Sequence, residues 1–255
     1  MSNSIERHAV NVTGRFVDRI DAEIGKHRGV IVFGFYFTLI LAILSIALLF
    51  VRGFDHLEAA WIFSIGGDIF CLLVCTMLYL SCLLAREREG AYLRLFTLLL
   101  TTTAMALFLD EMTWLVQCLE KYRILNLIIN AFYYANGALL MYMFWRYVTY
   151  ALNMDGKILR IVDSILGIIL LPHLLACFAT IVFPLYFTVD ASGVYARGPY
   201  YLVSQIYLIL CIISVVVALI VSKATRRQKL IASSFVSIPI LSYILTANVF
   251  GISVN

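Results

Sequence analysis

The apolar residues of this chain gather into seven long runs, at approximately 30–51, 57–84, 93–118, 124–150, 161–187, 200–222 and 230–251. A helix needs about 20 apolar residues to cross roughly 30 Å of hydrocarbon. Each run meets that length, so the pattern predicts an all-α bundle of seven membrane-spanning helices. Several runs exceed the minimum, which implies tilt or extension beyond the bilayer. Ahead of them, Val10, Phe16, Val17, Ile20 and Ile24 recur at helical spacing, with Arg15, Asp18, Arg19 and Glu23 between. That spacing fits a short amphipathic helix lying on a membrane surface, the alternative being a frayed, partly ordered tail. The chain therefore divides into an N-terminal segment, 1–28, and a transmembrane domain, 29–255.

Composition narrows the class. Of the 255 residues, 63% are apolar and 13% charged, against about 25% charged in an average soluble domain. So few charges cannot cover so much apolar side chain, which excludes a soluble enzyme, a disordered tail and a secreted disulfide scaffold. The net charge of +4 implies no nucleic-acid partner. Its distribution says more. Only Arg52, Lys121, Arg123 and Arg197 fall on one side of the predicted spans, while the other fifteen of the 19 Lys and Arg fall on the opposite side. By the positive-inside rule the N-terminus is cytoplasmic in a multi-pass protein of the cell membrane. Seven spans then put Asn255 at the outer surface, the inverse of G-protein-coupled receptors and microbial rhodopsins. No apolar segment precedes residue 30, so no cleavable signal peptide is expected, and the sequon at Asn11-Val12-Thr13 is coincidental on a cytoplasmic face.

The chemistry-bearing motifs are few. Cys71, Cys75, Cys82, Cys118, Cys177 and Cys211 form no CxxC pair and sit in or beside apolar runs, as small hydrophobes do. HExxH, GxSxG, P-loop and dinucleotide-binding spacings do not occur, and the four histidines are scattered. Neither an enzyme nor a cofactor or metal is expected.

The informative residues are polar ones inside the spans, each costing about 2.5–3.5 kcal/mol when ionised at a helix centre. Asp68 lies about 11 residues into the second run, roughly 16 Å deep at 1.5 Å per residue. It shares a face with Trp61, Ser64, Cys71 and Cys75, a small and polar stripe expected to face protein, and Gly66-Gly67 beside it would admit another helix. Asp110 and Glu111, with Thr103, Leu107, Trp114 and Gln117, tint one side of the third span. In the fourth, Asn126, Asn130, Tyr133 and Gly137 share a face. In the fifth, Asp163, Gly167, Leu170, His173, Cys177 and Thr180 line up, and Pro172 should kink the helix beside His173. Gln205 lies one to two turns into the sixth. Ordinary explanations exist for each: a hydrogen-bonded structural acid, interhelical Asn, a satisfied core histidine, an aromatic-belt tryptophan. Their common depth instead predicts one polar pocket in the outer half, bounded by Asp68, Asp110, Glu111, Trp114, Asn130, Tyr133, His173 and Gln205.

The longest external connection runs from Tyr186 to Tyr201. Phe187–Val189 and Val194–Ala196 read as two extended pieces around a turn at Asp190–Gly193, with Pro199 at the first position of the next helix. Arg197, beside that helix start, either caps the pocket or is a simple interfacial cation.

Leu107-Phe108-Leu109-Asp110 with Trp114, and the run from Asp190 to Tyr200, resemble the N-terminal membrane sensor module of bacterial sensor histidine kinases and diguanylate cyclases. The resemblance covers most of the chain. It implies a bundle of seven or eight spans that senses a small-molecule or membrane cue and relays it, usually as a homodimer, to a cytoplasmic kinase or cyclase domain in the same chain. An output domain must be cytoplasmic, so an eighth span is expected beyond Asn255. The alternative is a small stand-alone transporter or channel, against which stands the lack of an internal repeat.

Overall fold

The computed structural model describes residues 29–55, 57–84, 90–230 and 233. It is mostly helical. The amphipathic segment at 1–28 and nearly all of the seventh predicted span lie outside the described residues.

Six helices form where the apolar runs predict them: α1 (Gly29–Arg52), α2 (Ala59–Leu84), α3 (Gly90–Val116), α4 (Arg123–Ala151), α5 (Lys157–Ala179) and α6 (Tyr201–Val221). All six are long and apolar enough to cross a membrane, and the chain is a multi-pass membrane protein on that ground. A single 3-10 turn, Glu120–Tyr122, leads into α4. The outward faces carry exposed apolar side chains such as Leu73, Phe70, Ile168 and Leu171, as a lipid-facing surface requires.

The bundle has two halves. On one side α1, α2 and α3 bury Ile31, Leu41, Ala42, Leu72, Tyr79, Leu100 and Ala104 together. On the other, Trp145 and Val148 of α4 pack with Leu166 and Leu170 of α5 and with Tyr207, Cys211 and Val215 of α6. Helix α4 is central, touching α3, α5, α6 and the first strand of the hairpin.

The buried hydroxyls follow a common rule. Without water, a Thr or Ser in a span returns its proton to the carbonyl one turn back. Thr38 donates to Gly34 O at 3.1 Å, Thr76 to Leu72 O at 2.9 Å, and Thr101 to Thr97 O at 2.8 Å. Thr76 Oγ1 also reaches Thr38 Oγ1 at 3.2 Å, tying α2 to α1. Tyr79 crosses from α2 to α3, donating to Thr97 O at 2.8 Å and meeting Thr101 Oγ1 at 2.5 Å.

Two boundaries differ from the sequence reading. The fifth helix covers 157–179 rather than 161–187, because Pro184 has no N–H to offer and biases Phe183 away from helical torsions. The freed segment becomes a hairpin, β1 (Phe187–Val189) and β2 (Tyr195–Arg197), with Val189 opposite Tyr195. Pro199 is not the first residue of the sixth helix. It occupies the second position of a turn closed by Tyr201 N–H donating to Gly198 O at 3.1 Å, where its fixed φ also fits.

The ring of Tyr79 fills the space beside Gly34, and a Cβ at Gly34 would run into it. The hydroxyl of Tyr79 is held by α3, so the ring cannot step aside. Gly34→Ala should destabilise the purified protein by about 1–3 kcal/mol, read as a lower thermal midpoint in detergent. An unchanged midpoint would mean that α1 does not seat against Tyr79.

Candidate functional site

The connections α1–α2, α3–α4 and α5–α6 meet at one end of the bundle. Arg52 Nε donates to Leu115 O at 3.1 Å, and Cys118 N–H to Gly193 O at 3.2 Å. This hairpin end carries Arg52, Lys121, Arg123 and Arg197, whereas Arg94, Arg146, Lys157, Arg160, Lys223, Arg226, Arg227 and Lys229 mark the other.

In the half nearer the hairpin, acids from two helices converge. Asp68 of α2 and Asp110 of α3 lie close together across the two helices. Tyr133 of α4 turns its hydroxyl to Asp110. Trp114, one turn beyond Asp110, places its indole beside the same carboxyl, and its ring lies 5.8 Å from that of Trp61, two turns before Asp68. Glu111, one residue round α3, points instead toward Ser45 of α1.

Polar satisfaction here is incomplete. Asp68 Oδ2, both Glu111 oxygens, Ser45 Oγ and Trp114 Nε1 are buried with no partner at hydrogen-bond geometry. Glu111 and Ser45 are 0% exposed. Native proteins leave few buried polar atoms unpaired, so such a concentration asks for an explanation.

The other expected residues go elsewhere. Asn126 Nδ2 donates to Gly193 O at 3.0 Å and Asn130 Nδ2 to Asn126 Oδ1 at 2.6 Å. Arg123 Nε holds Val189 O at 3.2 Å. Asn130 therefore works in a clamp that seats the hairpin on α4. Next to it, the hydroxyls of Tyr134 and Tyr195 meet at 2.6 Å, and Phe187 is fully buried against Tyr134. His173 lies between the rings of Tyr186, at 5.6 Å, and Tyr207, at 5.4 Å. Its Nε2 is buried and unpartnered. Arg197 is exposed and lies over the Tyr201 ring at 4.6 Å. Gln205 Nε2 donates to its neighbour Ser204 at 3.0 Å.

The expected stripe on α2 is interrupted, since Cys71 is exposed while Cys75 is buried. Gly66 and Gly67 face open space rather than a neighbouring helix. Two features escaped the sequence reading. Thr38 and Ser45 are the only hydroxyl-bearing side chains between Gly34 and Arg52 apart from Tyr36, seven residues apart and both fully buried, a spacing that marks an inward face of α1. At the opposite end, Asp163 of α5 takes Arg146 Nη1 at 3.0 Å and Trp145 Nε1 at 3.3 Å, locking α5 to α4.

No family model, curated protein or solved structure matches the chain.

The hairpin makes two tests. Asn126→Ala leaves Gly193 O with the Cys118 N–H as its remaining donor and loosens the clamp, so amide exchange over 186–201 should quicken in line with a local loss of about 1–3 kcal/mol; unchanged exchange would remove the clamp from the account. Asp190 Oδ1 accepts from Ser192 Oγ at 2.6 Å and Val194 N–H at 2.9 Å. The Ser192 hydroxyl first, then the Val194 amide, hold its carboxyl below its ordinary value of 3.8. A depressed carboxylate stabilises the turn above that ordinary value and ceases to as pH falls through the lowered one. Exchange at Gly193 and Val194 should therefore rise only in acid, and Asp190→Ala should flatten the dependence.

Proposed function

We propose that this chain is a membrane-embedded sensory domain, with its N-terminus cytoplasmic and seven spans, that binds a small ligand in the half of the bundle closed by the hairpin. The observation that supports it best is the convergence of Asp68, Asp110, Glu111, Trp114 and Tyr133 with buried polar atoms left unpartnered. Orphan acceptors in a low-dielectric interior cost stability when empty and reward a ligand that supplies donors. The charge bias toward the far end supports the orientation, with the hairpin outside.

The proposed relay runs through α3 and α4, whose packing joins the two halves of the bundle. Asp110 and Tyr133 bring the site onto that seam. A ligand that changes their spacing has a differential contact with two arrangements of the seam, which is what a population shift needs. His173 and the Pro172 position lie on α5, away from the carboxyls, and are not assigned to the ligand. The output proposed, as the resemblance implies, is a cytoplasmic histidine kinase or diguanylate cyclase domain in a homodimer.

Two measurements test this reading. Across cationic, anionic and neutral small solutes, at least one should raise the thermal midpoint of the reconstituted protein. Asp68→Asn and Asp110→Asn should each weaken that effect by about 1.5–3 kcal/mol, the worth of a hydrogen bond to a charged group. In proteoliposomes the same solute should bind without accumulating inside; accumulation would replace the sensor with a transporter.

A further inference from the structure

We infer that the ligand of this site is a small organic cation bearing an ammonium group, held by the Trp61–Trp114 pair and the carboxyls of Asp68, Asp110 and Glu111. The inference rests on the reading of a ligand-binding site given above and adds its chemistry.

Donor and acceptor accounting comes first. Three of the five unpartnered atoms are carboxyl oxygens, Asp68 Oδ2 and Glu111 Oε1 and Oε2, beside two groups able to donate, the Ser45 hydroxyl and the Trp114 indole N–H. Glu111 and Ser45 reach the site from different helices, and both are fully buried. An ammonium offers up to three N–H donors and no acceptor, the complement of the three carboxyl oxygens. Arg52, at the hairpin end, is engaged by Leu115 O at 3.1 Å and Asp55 O at 3.3 Å. No described Lys or Arg stands among the carboxyls.

Charge and shape then narrow the class. Asp68 lies within electrostatic range of both Asp110 and Glu111, so an anion would meet three acids in a poorly screened interior. Among the described residues no three His, Cys, Asp or Glu side chains are grouped closely enough to hold a metal ion. An ammonium meets carboxylates at about 2.7–2.9 Å rather than the about 2.0–2.6 Å of a hard metal ion, so it does not need that close a grouping.

The aromatic pair gives the direction of entry. Trp61 precedes Asp68 by seven residues and Trp114 follows Asp110 by four, so on each helix the indole shares the carboxyl's face. Both lie toward the hairpin end. A ligand arriving from that end meets two indoles 5.8 Å apart before it reaches the acids. Aromatic faces attract ammonium ions by their quadrupole and strip water from them on the way.

The test uses the full chain in lipid nanodiscs, with n-butylammonium and methylammonium as probes and butyrate and n-butanol as controls. Trp61 and Trp114 are two of the three tryptophans, and Trp145 reports from the other half of the bundle. Both ammonium probes should shift tryptophan emission saturably below about 10 mM, and the controls should not. Glu111→Gln should weaken the response at least about tenfold, and Trp61→Leu should do the same in protein that still elutes as a single species. Saturable binding of butyrate or butanol, lost in Asp68→Asn, with no response to ammonium would overturn the cation while the ligand site stands. An ammonium response unchanged in Glu111→Gln and Asp68→Asn would also overturn it. Silence toward every probe would take the binding-site reading down as well.

Discussion

Inside a bilayer no water is available to a polar atom, so each hydroxyl, amide and carboxyl must find its partner within the protein or go without. Most of this bundle obeys by local means. Thr38, Thr76, Thr101, Thr149 and Thr180 return their protons to their own helices, and Tyr79 spends its hydroxyl on α3. These bonds cost no interhelical geometry. Against that background, with His173 Nε2 a lone second case, the group around Asp68, Asp110 and Glu111 is the concentrated exception. The same helix satisfies Thr97 and Thr101 through its own carbonyls, and an alanine at 111 would have asked for no partner at all.

The hairpin solves a related problem at the surface. Its two short strands form only a two-stranded sheet, too little to be stable alone. Stability comes from below, where Phe187 and Val189 bury against Ala131 and Ala135 of α4 while Asn126 and Arg123 hold the backbone of the turn and strand. Gly193 is required there for two reasons. Its φ of +84° is left-handed, and a Cβ would stand 2.8 Å from Leu119 O. The hairpin is thus a fixed cap on α4.

How much of this the sequence revealed depends on what periodicity can encode. Run length located the six helices, because hydrocarbon thickness imposes it directly, and the alternation around Asp190–Gly193 located the hairpin. Periodicity also assigned Asp110 and Trp114 to one face, and Asp68 and Trp61 to another. It could not say which face meets which, since the order of helices around a bundle is a tertiary property. Hence His173 and Asn130, at the right depth for the pocket, stand apart from the carboxyls, one between Tyr186 and Tyr207 and the other on the hairpin clamp. Ser45 was missed because a single serine in an apolar run looks like noise until Thr38, two turns earlier, shows that both point inward.

That separation constrains how a bound cation could act. Tyr133 and Tyr134 are adjacent on α4, one turned to Asp110 and the other to Tyr195 of the hairpin. Their rings meet edge to face, with centroids 6.0 Å apart. A change at the carboxyls therefore bears on α4 at the point where the cap is fastened, and the cap resists motion there. At the far end, Arg146 and Trp145 fasten α4 to α5 through Asp163. Helix α4 is thus pinned at both ends to the α5–α6 half, while α3 brings the α1–α2 side against it. Across the seam between α3 and α4, Asn136 Nδ2 donates to Thr102 O at 3.0 Å, so any shift of α3 against α4 must break that bond as well as disturb the contact of Tyr133 with Asp110.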